Sequence, residues 1–329
     1  MTIIDEQSLP LFGQDRRACE PGAERELPTV QLSVIIPHLN QSAMLGRCLA
    51  SLATGQSKPH EIIVVDNGSA VLPQEVCDAW PGVRLMQEMQ PGPGPARNRG
   101  VQAATGNVLA FIDADCVADP LWLAEARRAM ADPQAKILGG DVRIAYANPA
   151  HLSMLEAYES IYAYRMDRYI AREGFTGTGN LVVRRSVLLD VGPFAGIGVA
   201  EDRDWGQRAT AKGYRIRYVA KMKVYHPARQ RLSELCQKWD RHMAHDFDLA
   251  RQSKMGRAKW TIKMLAIAAS PLAEVPKIVV SNRVAGMRAR VLALMGLAII
   301  RTYRAGMMAR LLVKRDPENL TGRWNRPAA

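Results

Sequence analysis

The sequence predicts an α/β protein with a mostly parallel central sheet, followed by a helical extension that is both basic and apolar. Three observations carry this prediction. Short β-branched runs alternate with segments of helical spacing over the first 113 residues, as in parallel sheets covered by helices. Polar residues follow several of these runs directly. The last third of the chain is basic and contains two apolar runs, which predicts helices of another kind.

Composition sets the limits of the prediction. A chain of 329 residues suits one large domain with an appendage. Five scattered cysteines, without a C-x-x-C pair, argue against a disulfide framework or a zinc site and suit a reducing cytosol. The net charge is +12, and the part from residue 221 onward holds 22 Lys and Arg against 7 Asp and Glu. Residues 1–28, which mix charges with Gly and Pro and lack an apolar segment, are predicted as a mobile tail.

The domain boundaries follow from these changes of pattern. Residues 29–230 are predicted to form the α/β domain, 231–313 the helical extension and 314–329 a C-terminal tail. Strands are predicted at 29–37, 61–65, 83–86 and 108–113, and helices at 44–53 and 96–104. Such a sheet binds ligands beyond the carboxyl ends of its strands. The polar segments 38–41, 66–69 and 113–115 are therefore expected to cluster at one edge.

A dinucleotide-binding fold is the first alternative, and the sequence excludes it. Its first turn between strand and helix needs a G-x-G-x-x-G pattern, but residues 37–41 are Pro-His-Leu-Asn-Gln. A sugar-phosphate nucleotidyltransferase would carry a glycine-rich signature after the first strand, and that signature is missing too. A glycosidase could also use two carboxylates, but it needs no nucleotide pocket.

One pair of carboxylates is expected at a position where it could bind a metal ion. Asp113 and Asp115 directly follow the apolar run 108–112, so they are expected at the carboxyl edge of the sheet. Two hard oxygen ligands there can hold a divalent cation against the diphosphate of a nucleotide. The pattern alone is not specific, because Asp202/Asp204 and Asp246/Asp248 repeat it. Its position in an ordered series of motifs distinguishes the first pair.

That series carries a resemblance to a known family. In chain order the segments are SVIIPHLN, EIIVVDNGS, GPARNRG, FIDAD, TGTGNLVVRR and AEDRDWGQRATAKGYRI. They resemble the family 2 glycosyltransferases, which have the nucleotide-sugar-binding fold called GT-A. The likeness runs from about Thr29 to about His226, and its strength lies in the order of six motifs rather than in any one.

The resemblance implies a nucleotide pocket at the ends of the first strands. Pro37 and Asp66 would line the nucleoside, Arg97 would clamp the nucleotide through its planar fork, and Asp113 would reach the ribose or a water. The alternatives stay open here. Asp66 also suits a solvated Asp-Asn-Gly-Ser turn, and Arg97 also suits an exposed helix face.

The resemblance also implies a metal centre. Asp113 and Asp115 would bind Mn²⁺ or Mg²⁺, with Asp115 as the direct ligand, and His226 would be a further ligand. A lone histidine is more often structural, and that alternative remains for His226.

The acceptor side is implied by two further motifs. Asp202, in the Glu-Asp motif, would act as general base, with Glu201 as the second choice and Trp205 beside them. Gly179 and Asn180 would let the backbone approach a sugar closely. The plain alternatives are an acidic helix N-terminus for the first motif and a turn into a strand for the second.

The pattern of the helical extension predicts the location of the protein. The uncharged runs 264–273 and 291–300 are each about half the length of a spanning helix, and prolines accompany the first. Helical spacing places four arginines on one face: Arg283, Arg290, Arg301 and Arg304. Short basic helices suit the surface of an anionic membrane, whereas nucleic acid is disfavoured because few aromatic residues interleave. A helical hairpin that packs on the catalytic domain or forms a dimer is the alternative.

These observations lead to one predicted function. The chain is predicted to be a metal-dependent inverting glycosyltransferase, peripheral on the cytoplasmic face of the cell membrane. It would move one sugar from a nucleotide-diphosphate donor, a UDP-sugar first, to a hydroxyl acceptor, a lipid-linked glycan being one candidate, in surface or exopolysaccharide synthesis. Chain-extending relatives carry Q-x-x-R-W after this domain, whereas residues 237–241 are Gln-Lys-Trp-Asp-Arg, which favours single additions. The alternative is a catalytically silent, membrane-associated protein that binds sugar nucleotides or serves as a scaffold.

Overall fold

The computed structural model describes residues 29–251 and 256–314. The strands are β1 Leu32–His38, β2 Glu61–Asp66, β3 Val83–Gln87, β4 Val108–Ile112, β5 Val117–Ala118, β6 Ile137–Ala145, β7 Asn180–Arg184 and β8 Ile216–Pro227. The helices are α1 Ser42–Thr54, α2 Gln74–Asp78, α3 Pro93–Ala103, α4 Trp122–Met130, α5 Met154–Tyr162, α6 Met166–Glu173, α7 Arg185–Val191, α8 Glu201–Ala211, α9 Leu232–Arg251, α10 Gly256–Val279 and α11 Met287–Lys314. The predicted tails 1–28 and 314–329 lie outside the described residues, except that Lys314 ends α11.

The strands form one eight-stranded sheet in the order β3-β2-β1-β4-β7-β6-β8-β5. The first four strands are parallel, as the alternating pattern predicts, and β6 is parallel to β8. The strand β7 runs antiparallel to both of its neighbours, and β5 runs antiparallel to β8. The predicted α/β fold is confirmed; the sheet is parallel in its first half and mixed beyond β4.

The central strands are apolar on both faces because helices cover both sides of the sheet. Along β1, Val34 and Ile36 are buried in one cluster, which includes Leu45 and Leu49 of α1. Ile35 points to the opposite cluster, with Ala96 of α3. This alternation follows from the two-residue period of a strand. It fixes the carboxyl ends of β1, β2 and β4 against a rigid core.

The topology brings segments that are distant in sequence to this edge. Because β7 is antiparallel to β4, its start lies beside the end of β4, and Ile112 pairs with Asn180. The short strand β5 follows Asp115 directly, and its Val117 pairs with Tyr225 of β8. That pairing places the residues just before β5 next to the end of β8.

The helical part packs on the catalytic domain through α11. Ala293, Leu297 and Ile300 of α11 are fully buried in a cluster with α5. A Cβ at Gly296 would lie 2.8 Å from Cβ of Tyr158, so glycine allows this close approach. The structure of α11 therefore matches the alternative in which a helical hairpin packs on the catalytic domain.

Two predictions about this part are wrong. The apolar runs are not short helices: they lie within α10 and α11, of 24 and 28 residues, and α10 continues through Pro271 and Pro276. Among the described helices, α11 has the length and composition to cross a membrane over Met287–Val313. A helix of that kind can equally be the core helix of a packed domain.

The predicted arginine face is not formed either. Arg283 lies in the loop between α10 and α11 and donates 2.7 Å to Asp141 Oδ1 in β6. Arg290 donates to backbone carbonyl oxygens at and just after the end of α10. The guanidinium of Arg304 lies 3.7 Å from the centre of the Trp239 ring. These three arginine side chains therefore contact a carboxylate, backbone carbonyl oxygens and an aromatic ring of the protein, and they do not form one charged face.

Candidate active site

One arginine joins the two acidic motifs of the sequence. Arg97, on α3, is 3% exposed; its Nη2 donates 2.6 Å to Asp113 Oδ1 and its Nη1 donates 2.8 Å to Glu201 Oε1. Burial opposes its charge, but the two carboxylates outweigh burial and raise the pKa of Arg97. Arg97 was predicted to clamp a nucleotide. In the structure its fork joins the end of β4 to the start of α8.

A glycine loop separates the two carboxylate groups. A Cβ at Gly179 would lie 2.5 Å from Asp113 Oδ2, so only glycine lets the backbone pass this close to the carboxylate. A Cβ at Gly177 would lie 4.0 Å from Asp202 Oδ2, which places that carboxylate next to the same loop. The backbone of residues 177–179 therefore runs between Asp113 and Asp202.

The neighbouring residues Glu201 and Asp202 have different surroundings. Both lie in the first turn of α8, but Glu201 is paired with Arg97. The Asp202 carboxylate accepts a hydrogen bond at 2.7 Å from the Arg203 backbone N–H and makes no salt bridge within the described residues. Burial first, and then repulsion from Glu201, raise the pKa of Asp202. A raised pKa makes a carboxylate a better proton acceptor, so the geometry favours Asp202 over Glu201 as a base.

The other end of the site brings Asp115 and His226 together. Asp115 Oδ2 lies 3.5 Å from His226 Nε2, at the point where β5 pairs with the end of β8. His226 Nδ1 lies 2.6 Å from the Pro227 carbonyl oxygen, which can only accept, so the proton is on Nδ1. Nε2 faces the carboxylate, and a ring whose other nitrogen is held by a backbone carbonyl is the usual orientation of metal-ligating histidines.

Tyr164 belongs to this end of the site, and no motif in the sequence points to it. Its hydroxyl lies 3.1 Å from His226 Nε2 and 3.2 Å from Nδ1, and the two rings stack with centroids 4.6 Å apart. Its backbone has φ of 49°, an uncommon conformation for a bulky residue. A strained residue that fixes a functional side chain is a known feature of active sites. A tyrosine between two helices carries no sequence signal for such a role.

The residues present fit a divalent cation. Asp115, Cys116 and His226 offer ligand atoms that all lie within 4.8 Å of one another. Burial, and then the Asp113 and Asp115 carboxylates, raise the pKa of the Cys116 thiol well above its usual value, so this thiol stays protonated and is a poor ligand. A carboxylate oxygen and an imidazole nitrogen remain. An imidazole favours a transition-metal ion such as Mn²⁺ over Mg²⁺, which is bound almost wholly through oxygen.

The predicted nucleoside residues lie at the ends of the first two strands. Asp66 is fully buried and accepts from His38 Nδ1 at 2.9 Å and from the Gly68 and Ser69 backbone N–H groups at 3.2 and 3.0 Å. Burial would raise the pKa of Asp66, but hydrogen bonds from Ser69 and His38 outweigh it and lower the pKa. Pro37 is half-buried in β1, pairing with Val65. Asp66 thus holds its turn in shape, but it is buried and not solvated as the turn alternative expected.

Asn180 and Trp205 have a different role from the predicted contact with sugar. Asn180 is fully buried: its Oδ1 accepts from Trp122 Nε1, and its Nδ2 donates to the Asp141 and Met222 carbonyl oxygens. It thereby joins β6 and β8 where their register shifts. Trp205 is 1% exposed, donates to the Gly192 carbonyl oxygen and packs on the Phe194 ring. Both side chains are part of the core and bond to protein atoms.

Comparisons with known proteins identify the family of the α/β domain. The model of the glycosyl transferase family 2 matches residues 33–192. Glycosyltransferase AglE of Haloferax volcanii is 33% identical over 207 residues, which cover 60% of this chain and 67% of AglE. The pre-mycofactocin glycosyltransferase of Mycobacterium tuberculosis is 26% identical over 220 residues, 62% of this chain and 44% of that protein.

A solved structure shares the fold. The mannosyltransferase PcManGT from Pyrobaculum calidifontis, solved in complex with GDP-Man and Mn²⁺, superposes with a TM-score of 0.55 at 19% identity. The superposition covers 90% of this chain and 88% of that chain. The sheet with its carboxyl-edge site is therefore a GT-A fold, as the motifs predict. With the sequence matches, this shows that the chain is a glycosyltransferase and belongs to glycosyltransferase family 2.

Proposed function

We propose that this enzyme transfers one sugar, with inversion, from a nucleotide-diphosphate sugar to a hydroxyl group. The observation that carries the proposal is the Arg97 bridge between Asp113 and Glu201. It holds a donor-side carboxylate and the start of the base-bearing helix α8 at a fixed separation. Transfer with inversion needs such an arrangement, because the attacking oxygen and the leaving diphosphate lie on opposite sides of the sugar.

Asp202 acts as the general base. It accepts the proton of the acceptor hydroxyl while that oxygen forms a bond to the anomeric carbon and the bond to the diphosphate breaks. The raised pKa of Asp202 suits this task. Glu201, paired with Arg97, positions the first turn of α8. Gly179 keeps the backbone close enough to Asp113 for a sugar to lie against the loop.

Asp115 and His226 would hold the cation, and Asp113 would contact the cation or the ribose. A bound Mn²⁺ or Mg²⁺ would neutralise the negative charge that develops on the leaving diphosphate. The half-buried edge near Pro37 and Asp66 receives the nucleoside. A UDP-sugar is our first choice of donor, and GDP-Man, which is bound in PcManGT, is the second. The acceptor we propose is a hydroxyl of a lipid-linked glycan used in surface or exopolysaccharide synthesis, reached from the cytoplasmic face of the membrane.

The test is a thermal-shift screen of UDP, GDP, ADP and dTDP, each with and without Mn²⁺. We expect one nucleotide to raise the melting temperature only when Mn²⁺ is present, because ligands that bind the folded state stabilise it. The Asp115→Asn variant should lose this shift and keep its own melting temperature. The matched control is Asp132→Asn, which changes an exposed carboxylate paired with Arg217.

Two results would contradict the proposal. A nucleotide shift that Asp115→Asn leaves intact in the presence of Mn²⁺ would remove Asp115 from the metal site. Nucleotide binding without any hydrolysis or transfer of a sugar donor would instead favour a catalytically silent binding protein.

A further inference from the structure

The side of α10 that faces away from the protein is apolar along its whole length. Its residues recur at spacings of three and four, which keeps them on one helix face. They are Ile262, Leu265, Ala269, Leu272, Pro276 and Val279, and we call this set the α10 outer face. Leu272 is 82% exposed, Ile262 67% and Leu265 59%. A stripe of large apolar side chains left in water marks an interaction surface.

We propose that the α10 outer face docks on the surface of an anionic lipid bilayer, with the helix lying along the membrane. This inference names the surface by which the proposed peripheral location would be reached. It does not depend on the proposed sugar transfer.

Packing on the other side of α10 fixes which residues point outward. Trp260 and Ile267 are buried in a cluster with α9 and α11, and Ile278 is buried in the cluster around α11 and α5. The Trp260 indole N–H donates 3.1 Å to the Met308 carbonyl oxygen of α11. Rotation of α10 about its axis would break these contacts, so the fold keeps the outer face exposed to solvent.

The apolar surface continues past the end of α10. Val280 follows α10 directly and is 80% exposed, and α11 presents Met287, Val291 and Met295 at spacings of four, all exposed. Arg290 Nε donates 2.9 Å to the Val279 carbonyl oxygen, which holds the start of α11 against the end of α10. The hairpin therefore offers apolar side chains from both helices rather than from one.

The charge around this surface identifies the partner. Residues 256–314 contain 11 Lys and Arg and one acidic residue, Glu274. Lys259, Lys263 and Lys277 are exposed on α10. Lys263 pairs with Asp246 of α9 and Lys277 pairs with Glu274, and most of the basic surplus of the hairpin remains after these two pairs are counted. Apolar burial flanked by basic side chains is how interfacial helices bind anionic membranes. A second copy of this chain would bring the same positive charge against it, which opposes a dimer through this face.

A docked hairpin fits the structure better than a spanning helix. The middle of α11, the helix with the length and composition to cross a membrane, packs on α5 of the catalytic domain. A bilayer could surround α11 only if that contact were broken. The α10 outer face needs no such rearrangement, because it is already open to solvent.

The experiment measures co-sedimentation of the full-length protein with vesicles, without nucleotide or metal. We expect binding to vesicles that contain phosphatidylglycerol, and much less binding to phosphatidylcholine alone or at high salt. The variant I262Q/L265Q/L272Q should bind at least tenfold more weakly. The variant K259Q/K263Q/K277Q should lose about fivefold per charge, since each basic residue near the surface contributes about 1 kcal/mol.

The matched control is V71Q/M89Q/L189Q, which changes three apolar residues of the catalytic domain with exposures of 77%, 73% and 64%. It should bind vesicles as the parent does. Because all six positions are exposed, each variant should melt close to the parent temperature. Equal vesicle binding by I262Q/L265Q/L272Q and the parent would overturn the proposal.

A second result would overturn it as well. A parent that binds no vesicles, but sediments as a dimer that I262Q/L265Q/L272Q converts to monomer, would assign the face to another copy of the chain. Because the assay contains no donor, neither result bears on the proposed sugar transfer. Failure of donor turnover would likewise leave the docking surface standing.

Discussion

The catalytic domain and the helical part use charge in opposite ways. At the sheet edge, charged side chains are buried and face one another, as Arg97 does between Asp113 and Glu201. On α10, apolar and basic side chains are both exposed to solvent. Buried charges are costly unless they are paired, whereas exposed ones change stability little. The charged side chains at the sheet edge of the catalytic domain therefore pair with one another. The helical part instead exposes apolar and basic side chains to solvent, where a partner could bind.

The largest effect should come from Asp202, which carries the chemistry at the sheet edge. Asp202→Asn keeps the shape of the side chain and removes its basicity, so turnover should fall by roughly two to four decades. Donor binding, measured by the metal-dependent thermal shift, should change little. The control is Asp204→Asn in the same helix, because Asp204 pairs with Arg208 on the surface. Near-normal turnover in Asp202→Asn together with an inactive Glu201→Gln would assign the base to Glu201 instead.

The next largest effect should come from removing the bridge. Arg97→Met leaves Asp113 and Glu201 facing each other without a cation, so we expect unfolding free energy to fall by about 3 kcal/mol. Turnover should fall by about one to two decades, because α8 loses its fixed position. Arg99→Met, two residues further on an exposed side of α3, is the control. Urea unfolding and donor turnover check both parts, and equal behaviour of the two variants would contradict the bridge.

The sequence predicted the sheet edge well because local patterns determine it. The strands β1, β2 and β4 are apolar on both faces, and Asp66 and Asp113 lie at the ends of β2 and β4 as expected. A turn into a strand was the plain alternative for Gly179 and Asn180, and β7 is that strand; its antiparallel direction was not predicted, because it depends on pairing with β4. Asn180 was predicted to let the backbone approach a sugar, and Trp205 was placed beside the Glu-Asp motif on the acceptor side. Only tertiary packing shows that both are buried.

The helical part was predicted less well because its helices are set by long-range contacts. Periodicity placed four arginines on one face, but a carboxylate in β6 draws Arg283 into the loop before α11. Prolines were expected to end α10, yet the helix continues through them because its neighbours pack along it. The role of Tyr164 could not be predicted from the sequence, because it depends on an uncommon backbone conformation and on contact with the His226 ring.

Arg283 offers a test of whether the two regions act as one unit. It is the point where the α10–α11 loop reaches the sheet, and its partner Asp141 is buried and also paired with Arg143. Arg283→Met should lower the free energy of unfolding by about 2 kcal/mol. This is less than the cost of leaving a buried carboxylate with no cation, because Asp141 keeps Arg143 as a partner. Arg257→Met, at an exposed start of α10, should change it by less than about 0.5 kcal/mol. Urea unfolding that shows no difference between them would mean that this contact does not couple the regions.

The smallest effect, and the one most sensitive to pH, concerns Glu61 at the opposite end of the sheet from the site. Its carboxylate accepts from the Thr105 backbone N–H and hydroxyl at 2.6 and 2.7 Å, from Ser33 Oγ at 2.7 Å and from Arg84 Nη1 at 3.0 Å. Burial opposes the charge, but these donors outweigh it and lower the pKa of Glu61 from 4.5 to about 2. Because the folded pKa is depressed, the stability that Glu61 adds is present above pH 4.5 and is lost as pH falls toward 2.

Glu61→Gln should therefore cost roughly 1 to 2 kcal/mol at pH 7, and the gap to the parent should narrow as the pH falls below 4.5. Urea unfolding of both proteins across that range measures the gap directly. Glu75→Gln, which changes an exposed carboxylate at the start of α2, should show no gap at any pH. A gap for Glu61→Gln that stays constant down to pH 3 would mean that the amide fails to fit the site for steric reasons. The buried charge would then not be what stabilises this end of the sheet.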